Sequence, residues 1–391
     1  MILVIGDYII DRYIYGSLDR ISPESPIPIF SEQNIIEKDG GAGNVVANLK
    51  ALGNEVLFYT NRDTPPVKTR YVVDNQILFR ADNEQYFCPE ELSIEVPDEV
   101  KFAILSDYNK GYLEESKAII AALKERKIIV IVDPKKHISN YEGAHLVKFN
   151  EKEFIKYTGQ NNLDNCSEIH DEYNIHTVIV TMGGKGVFVS DRVFGKFFIE
   201  TENKEVKDVT GAGDVFIAAL THFFNKNYTL RDAIVKANKL ASISVTKFGT
   251  YTLSEKDIAS TRVIFTNGCF DILHKGHVEY LKKSKELGSK LIVGLNSDNS
   301  VKKIKGKERP INNEQDRKAV LEALDCVDEV IIFDEDTPYE LIKSIKPDII
   351  TKGGDYTPET VIGNDLTEVV IIPMVEGYST TKVVNKTRKK K

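Results

Sequence analysis

The sequence predicts an α/β protein built from two successive domains, about 1–258 and 262–391. Three observations carry that prediction. Short apolar runs alternate with longer amphipathic segments along the chain, as strands and helices do in parallel sheets. A fresh apolar run starts at Val263, after a helical stretch, a Gly249-Thr250 turn and the polar segment Ser254–Thr261. The chain has 391 residues, enough for two cores of ordinary size.

In chain order, Ile2–Ile5, Phe102–Leu105, Ile128–Val132, Ala144–Phe149 and Val178–Thr181 read as buried strands of a first sheet. Val45–Leu52, Leu113–Arg126 and Leu230–Phe248 have helical spacing, and Thr229 is a ready N-cap for the last of them. Asp11–Gly40 breaks the pattern. Its two alternating apolar pieces flank a turn rich in Ser and Pro, which suggests a small β-flap, a surface loop being the plainer alternative. In the second half, Val263–Thr266, Leu291–Leu295, Glu329–Phe333 and Ile349–Thr351 read as strands and Val278–Leu287 as a helix.

Composition removes several function classes. The net charge of −7 gives no general attraction to nucleic acid, and the basic tail Lys386–Lys391 reads as a solvated end. No apolar run approaches the roughly 18 residues of a membrane span, and Met1–Gly6 lacks the basic start of a signal peptide. Cys88, Cys166, Cys269 and Cys326 lie far apart with no paired spacing, as free thiols in a reducing, cytoplasmic setting would.

Two constellations carry chemistry. In the first half, Asp208–Phe216 places Gly211, Ala212 and Gly213 ahead of an apolar helix, where backbone N–H groups and the helix dipole favour a phosphate. Asp214 follows, positioned to take a proton from an attacking hydroxyl. Three pieces reinforce it: Gly40, Gly41 and Asn44 before a helix; Asn150 and Glu153 after a strand; and the glycine-rich turn Thr181–Gly186, with Gly183, suited to a nucleotide edge. In the second half, the strand that ends in Asn267, Gly268 and Phe270 leads to His274 and His277, three apart at a helix start with Gly276 between them. Two imidazoles and a helix N-terminus suit the charge that develops on an attacked α-phosphate. Zinc is the alternative for paired histidines, but no third ligand accompanies them.

The first set resembles the ribokinase-like carbohydrate kinases, the PfkB family. That resemblance implies Asp214 as catalytic base, Gly211, Ala212 and Gly213 as the anion hole, and Asn150 and Glu153 as indirect organisers of Mg²⁺. It implies sugar contacts from Asp11, Asp7, Gly40, Gly41 and Asn44. The second set resembles the HxGH nucleotidyltransferases. There the resemblance implies nucleotide contacts from Asn267, Gly268, Phe270, Asp298, Lys352, Gly353 and Asp355. It implies phosphate contacts from Lys302, Lys305, Arg317, Ser379, Thr380 and Thr381. Lys302 and Lys305 alone would pass for a solvated charge run.

The combination, with Lys68-Thr-Arg70 and Ser106–Gly111 among further matching stretches, is similar to the bifunctional heptose-7-phosphate kinase and heptose-1-phosphate adenylyltransferase family. The fold implied is a ribokinase-like α/β domain with a small β-flap, followed by a Rossmann-like nucleotidyltransferase domain. The activity implied is synthesis of ADP-heptose for lipopolysaccharide core, with ATP as co-substrate in both domains, Mg²⁺, sugar phosphates as substrates and a separate phosphatase between the two steps. A homodimer is open. An active transferase on an inert kinase-like scaffold, or a CTP-dependent enzyme for another polyol, are the competing expectations. One departure stands out: Phe58–Asp63 runs almost directly into Thr64–Arg70, where the family carries a further helix and strand.

Overall fold

The computed structural model describes residues 1–84, 86–89, 94–159, 162–202, 204–354 and 356–373. It divides into two compact units, Met1–Glu255 and Lys256–Lys391.

In the first unit the chain order is β1 (Ile2–Gly6), β2 (Tyr8–Ile21), β3 (Pro28–Gly41), α1 (Ala42–Ala51), β4 (Val56–Tyr59), β5 (Val67–Val73), β6 (Gln76–Asn83) and β7 (Phe102–Ser106). It continues through α2 (Ser116–Glu125), β8 (Ile129–Asp133), β9 (Leu146–Asn150), α3 (Glu151–Thr158), α4 (Cys166–Glu172), β10 (Thr177–Thr181), β11 (Gly186–Asp191), β12 (Gly195–Glu200), α5 (Ala212–Asn225) and α6 (Leu230–Ser244). Eight strands form one sheet in the order β12-β11-β10-β9-β8-β7-β1-β4. From β4 to β10 neighbours run parallel, and β11 and β12 add an antiparallel edge. All five residues of β1 and of β7 are buried, so the apolar runs are unbroken rather than alternating. Thr229 caps α6, accepting the Asp232 N–H at 3.2 Å.

The β-flap is larger than the two predicted pieces. It is a four-stranded sheet in the order β3-β2-β5-β6. The β5–β6 hairpin turns at Asp74 and Asn75, both at positive φ (50° and 62°), the geometry that two-residue hairpins favour. The shortened stretch is visible at the edge of the main sheet. Strand β4 is the last strand there, and the chain leaves it directly for β5. The Thr60–Asn61 corner is tied to the start of β2: the Tyr8 N–H donates to Asn61 Oδ1 at 2.7 Å, and the Thr60 hydroxyl donates to the Gly6 carbonyl at 2.6 Å.

The boundary falls within α7 (Glu255–Ala259), and the second unit continues with β13 (Val263–Gly268), α8 (Lys275–Glu286), β14 (Lys290–Asn296), α9 (Asp298–Lys305), α10 (Glu314–Glu322), β15 (Glu329–Phe333), α11 (Tyr339–Ile345), β16 (Ile349–Gly353) and β17 (Glu368–Ile372). Its five strands are all parallel, in the order β15-β14-β13-β16-β17. The order reverses between β13 and β16, so a crevice opens at their carboxyl ends, where ligands bind in such sheets. Among the described residues, no helix is long and apolar enough to cross a membrane.

Candidate active sites

In the first unit Asp214 is the third residue of α5 and is 3% exposed. Two side chains hold it. The Asn44 amide donates to Oδ2 at 2.9 Å, and the Tyr108 hydroxyl donates to Oδ1 at 2.5 Å. Burial raises its pKa from 3.8 to about 6, against the opposing pull of those two hydrogen bonds. A carboxylate poised there can accept a hydroxyl proton near neutral pH. Asn44 is itself fixed by Asn48, whose amide donates to Asn44 Oδ1 at 3.0 Å.

Under the turn before α5 runs a buried ion-pair chain. Lys148 lies 3.0 Å from both Asp133 oxygens, and Lys135 bridges Asp133 and Glu153. Burial disfavours the charged Lys135, but Asp133 and Glu153 outweigh it and push its pKa up. A Cβ on Gly213 would stand 2.7 Å from Lys148 Nζ, so the missing side chain is what lets a buried cation approach the helix start.

Asp11 is 5% exposed and accepts from Arg70 at 2.6 Å and from the Thr250 hydroxyl at 2.8 Å. Gly40 pairs beside it on β3, and a Cβ there would lie 2.3 Å from Asp11 Oδ2. Asp7 behaves differently. It is fully buried, and its carboxylate accepts the backbone N–H groups of Tyr108, Lys110 and Tyr112 at 2.8, 3.2 and 3.1 Å. It shapes the loop that carries Tyr108.

In the second unit, β13 leads through Gly268 and Phe270 to His274, the residue before α8. The two imidazoles stack, ring centres 3.9 Å apart, and Phe270 packs edge-on against His277 at 5.4 Å. Burial, then the neighbouring His274, lowers His277 to about 4; burial lowers His274 as well. Both rings are therefore neutral at physiological pH, and each can offer an N–H donor without carrying charge. Across the switch point Lys352, on β16, donates to Asn267 Oδ1 at 2.7 Å and to its carbonyl at 3.0 Å. Burial pushes Lys352 down to about 8, with nearby Cys269 opposing.

The pfkB family carbohydrate kinase model matches residues 72–257, and the cytidylyltransferase-like model matches 265–386. The bifunctional protein HldE of Nitratiruptor sp. is 40% identical over 99% of both chains. That of Helicobacter pylori is 37% identical, over 99% of this chain and 98% of the relative.

The chain belongs to the bifunctional HldE family.

It is a bifunctional kinase and nucleotidyltransferase. The alignment to the Nitratiruptor relative runs over 461 positions against a chain of 391 residues, so this HldE-family member lacks several dozen positions that the relative carries. Phosphofructokinase-2 from Escherichia coli shares the fold alone: 16% identity, TM-score 0.53, over 66% of this chain and 96% of that one.

Against that family background the predicted residues divide. Gly211, Ala212, Gly213, Asp214, Asn44, Gly40, Gly41 and Asp11 gather at the junction of α1, α5 and the flap. Asn150 and Glu153 form a capping box for α3: Glu153 N–H donates to Asn150 Oδ1, and Asn150 N–H to Glu153 Oε2, both at 2.9 Å. Thr181, Gly183 and Gly186 build the β10–β11 turn, with the glycines at φ 56° and 129°. In the second unit Gly353 ends β16 beside Lys352, while Lys302 and Lys305 are exposed on α9. Asp355, Ser379, Thr380 and Thr381 lie outside the described residues.

Arg317 departs from its predicted phosphate contact. It is 2% exposed, and its guanidinium donates to the carbonyls of Asn312, Cys269 and Asn296 and to Asp298 Oδ1, at 2.7 to 3.0 Å. It is a buried strut joining the histidine loop to the ends of β14 and α9, and it takes Asp298 with it. Tyr108 and the Asp133–Lys148 pair escaped the sequence reading as site residues. Ser106–Gly111 was visible as a stretch, but nothing local says that it converges on Asp214.

Proposed function

We propose that this chain makes ADP-heptose in two separated steps. The first unit transfers the γ-phosphoryl group of ATP to O1 of D-glycero-β-D-manno-heptose 7-phosphate. Asp214 takes the O1 proton as the O1–Pγ bond forms and the bond to ADP breaks. The N–H groups at Gly211–Gly213 and the helix start receive the developing charge. A separate phosphatase removes the 7-phosphate. The second unit then joins heptose 1-phosphate to AMP: a phosphate oxygen attacks the α-phosphorus of ATP and pyrophosphate leaves. His274 and His277 donate to the α-phosphate, and Lys352, with the exposed Lys302 and Lys305, meets the triphosphate.

The observation that carries this reading is a buried, hydrogen-bonded carboxylate at one helix start and a stacked imidazole pair at another, in one HldE-family chain. Mg²⁺ fits. Among the described residues there is no cluster of three or more acidic, cysteine or histidine ligands. Magnesium on a triphosphate needs only one or two carboxylates and keeps most of its waters. Glu153, paired with Asn150 at the start of α3, would organise the ion indirectly through its waters, and the ion would neutralise phosphate charge. The two catalytic domains are taken as about 1–258 and 262–391, in the cytoplasm. A homodimer is supported by β6, whose eight residues are all exposed and include Ile77, Leu78 and Phe79.

The test is phosphorus NMR of the purified chain with Mg²⁺ and either heptose phosphate, offering ATP or CTP. The reading requires the 1,7-bisphosphate from the first substrate, and ADP-heptose plus pyrophosphate from the second with ATP alone. A CDP-sugar, or no bisphosphate, would overturn it.

A further inference from the structure

A catalytic base has to meet the hydroxyl that it deprotonates, yet Asp214 is 3% exposed and both of its carboxylate oxygens are engaged. Its two partners differ in how firmly they are held. Asn44 is fully buried, and the Asn48 amide donates to its carbonyl at 2.9 Å and to its Oδ1 at 3.0 Å. Tyr108 is only half-buried, and its hydroxyl donates to Asp214 Oδ1 at 2.5 Å. That is the contact an acceptor hydroxyl must make to hand over its proton. Burial, then the Asp214 charge, holds the phenol well above its usual pKa, so it stays a donor.

The main chain around Tyr108 is fixed by two buried carboxylates. Asp7 accepts the N–H groups of Tyr108, Lys110 and Tyr112. Asp107, also fully buried, accepts the Asn109 N–H and the Tyr141 hydroxyl, each at 2.6 Å. The ring is held more lightly, with Lys68 Nζ and Lys135 Nζ each 5.4 Å from its centre. Rotation of this one side chain, with the loop in place, is therefore enough to bare Asp214 Oδ1.

We propose that the Tyr108 hydroxyl holds the acceptor's place on Asp214 until a sugar displaces it, which makes Tyr108 a determinant of sugar over water as phosphoryl acceptor. The inference rests on the kinase reading of Asp214 above. A sugar brings binding energy from groups remote from its reacting hydroxyl, and that energy can turn the ring aside. Water brings none, and meets a carboxylate already occupied by a charge-assisted hydrogen bond. The reaction held back is hydrolysis: a water oxygen bonds to the γ-phosphorus of ATP, the bond from that phosphorus to the ADP oxygen breaks, and the water's proton goes to Asp214. One such hydrogen bond lowers the access of water about tenfold to a hundredfold.

The experiment measures ADP and phosphate released from ATP and Mg²⁺ without any sugar, in wild type, Tyr108→Phe, Tyr108→Leu and the double variant Asp214→Asn with Tyr108→Phe. ADP and phosphate report the first unit, because adenylyl transfer in the second yields pyrophosphate. Sugar-free release should rise about tenfold or more in both single variants and fall to the wild-type level or below in the double variant. Phosphorylation of heptose 7-phosphate by Tyr108→Phe should keep its kcat within a few-fold, with an acceptor KM unchanged or lower, since no hydroxyl has to be displaced. A mere support for the fold would lower both reactions. Loss of both in the Phe and Leu variants would overturn the proposal, as would unchanged hydrolysis beside normal phosphorylation. A rise that survives Asp214→Asn would overturn it too, because the water would not be using this base. If no form phosphorylates heptose 7-phosphate but the Asp214-dependent rise appears, the role of Tyr108 stands and the acceptor assignment falls.

Discussion

Replacing Asp214 by Asn should abolish kinase activity and stabilise the first unit, and the gain should depend on pH in a defined way. Burial raises the carboxyl from 3.8 to about 6. Below about pH 4 folded and unfolded chains both carry the proton, and the buried group costs nothing extra. Between about 4 and 6 the folded chain holds the proton more tightly, so stability falls as pH rises. Above about 6 the full cost of a buried charge is present. A shift of about two units at about 1.4 kcal/mol each sets an upper bound of about 3 kcal/mol. Asn keeps the shape and can still pair with Asn44 and Tyr108, so about 1–3 kcal/mol should appear as gain at pH 7. The assay is amide hydrogen exchange of the α5 core between pH 5 and 8, which reads this unit apart from the other. A variant less stable than wild type at pH 7, or a gain equal at all pH values, would refute the reasoning.

Arg317→Lys should destabilise the second unit by about 3 kcal/mol, because a buried strut with four acceptors is lost; thermal unfolding reads it, and an altered ATP KM with unchanged stability would instead favour phosphate contact. Gly213→Ala should cut kinase turnover about tenfold or more by displacing Lys148, while leaving adenylyl transfer intact. Because His277 is held near 4, transferase kcat/KM should show no acid limb from this ring above about pH 5; a fall centred near 6.5 would mean the ring titrates normally. Phe79→Glu on the exposed β6 should shift a dimer to monomer in sedimentation, with both activities measurable.

The sheets were legible because buried parallel strands are unbroken apolar runs: Phe102–Leu105 and Leu291–Leu295 are strands within a residue or two of their predicted ends. Strands β5 and β6 were not, since Lys68, Arg70, Arg80 and Asp82 interrupt the apolar pattern on the flap's polar face. At the candidate sites, glycine and histidine spacing marked the turns that start α5 and α8, because that spacing is local. Function and structure were confounded where one residue type serves both. Asn150 and Glu153 have the spacing of a helix cap as much as of a metal organiser. Arg317 reads as a free cation until its four acceptors, three of them distant in sequence, are seen around it. Tyr108 reaches Asp214 across 106 positions, beyond any local pattern.

Two isotopes read both chemistries in one tube. With γ-labelled ATP and heptose 7-phosphate, label should enter the sugar in wild type and His277→Ala but not in Asp214→Asn. With α-labelled ATP and heptose 1-phosphate, it should enter in wild type and Asp214→Asn but not in His277→Ala. Loss of both incorporations from either single substitution, in a chain that remains folded, would contradict two independent pockets.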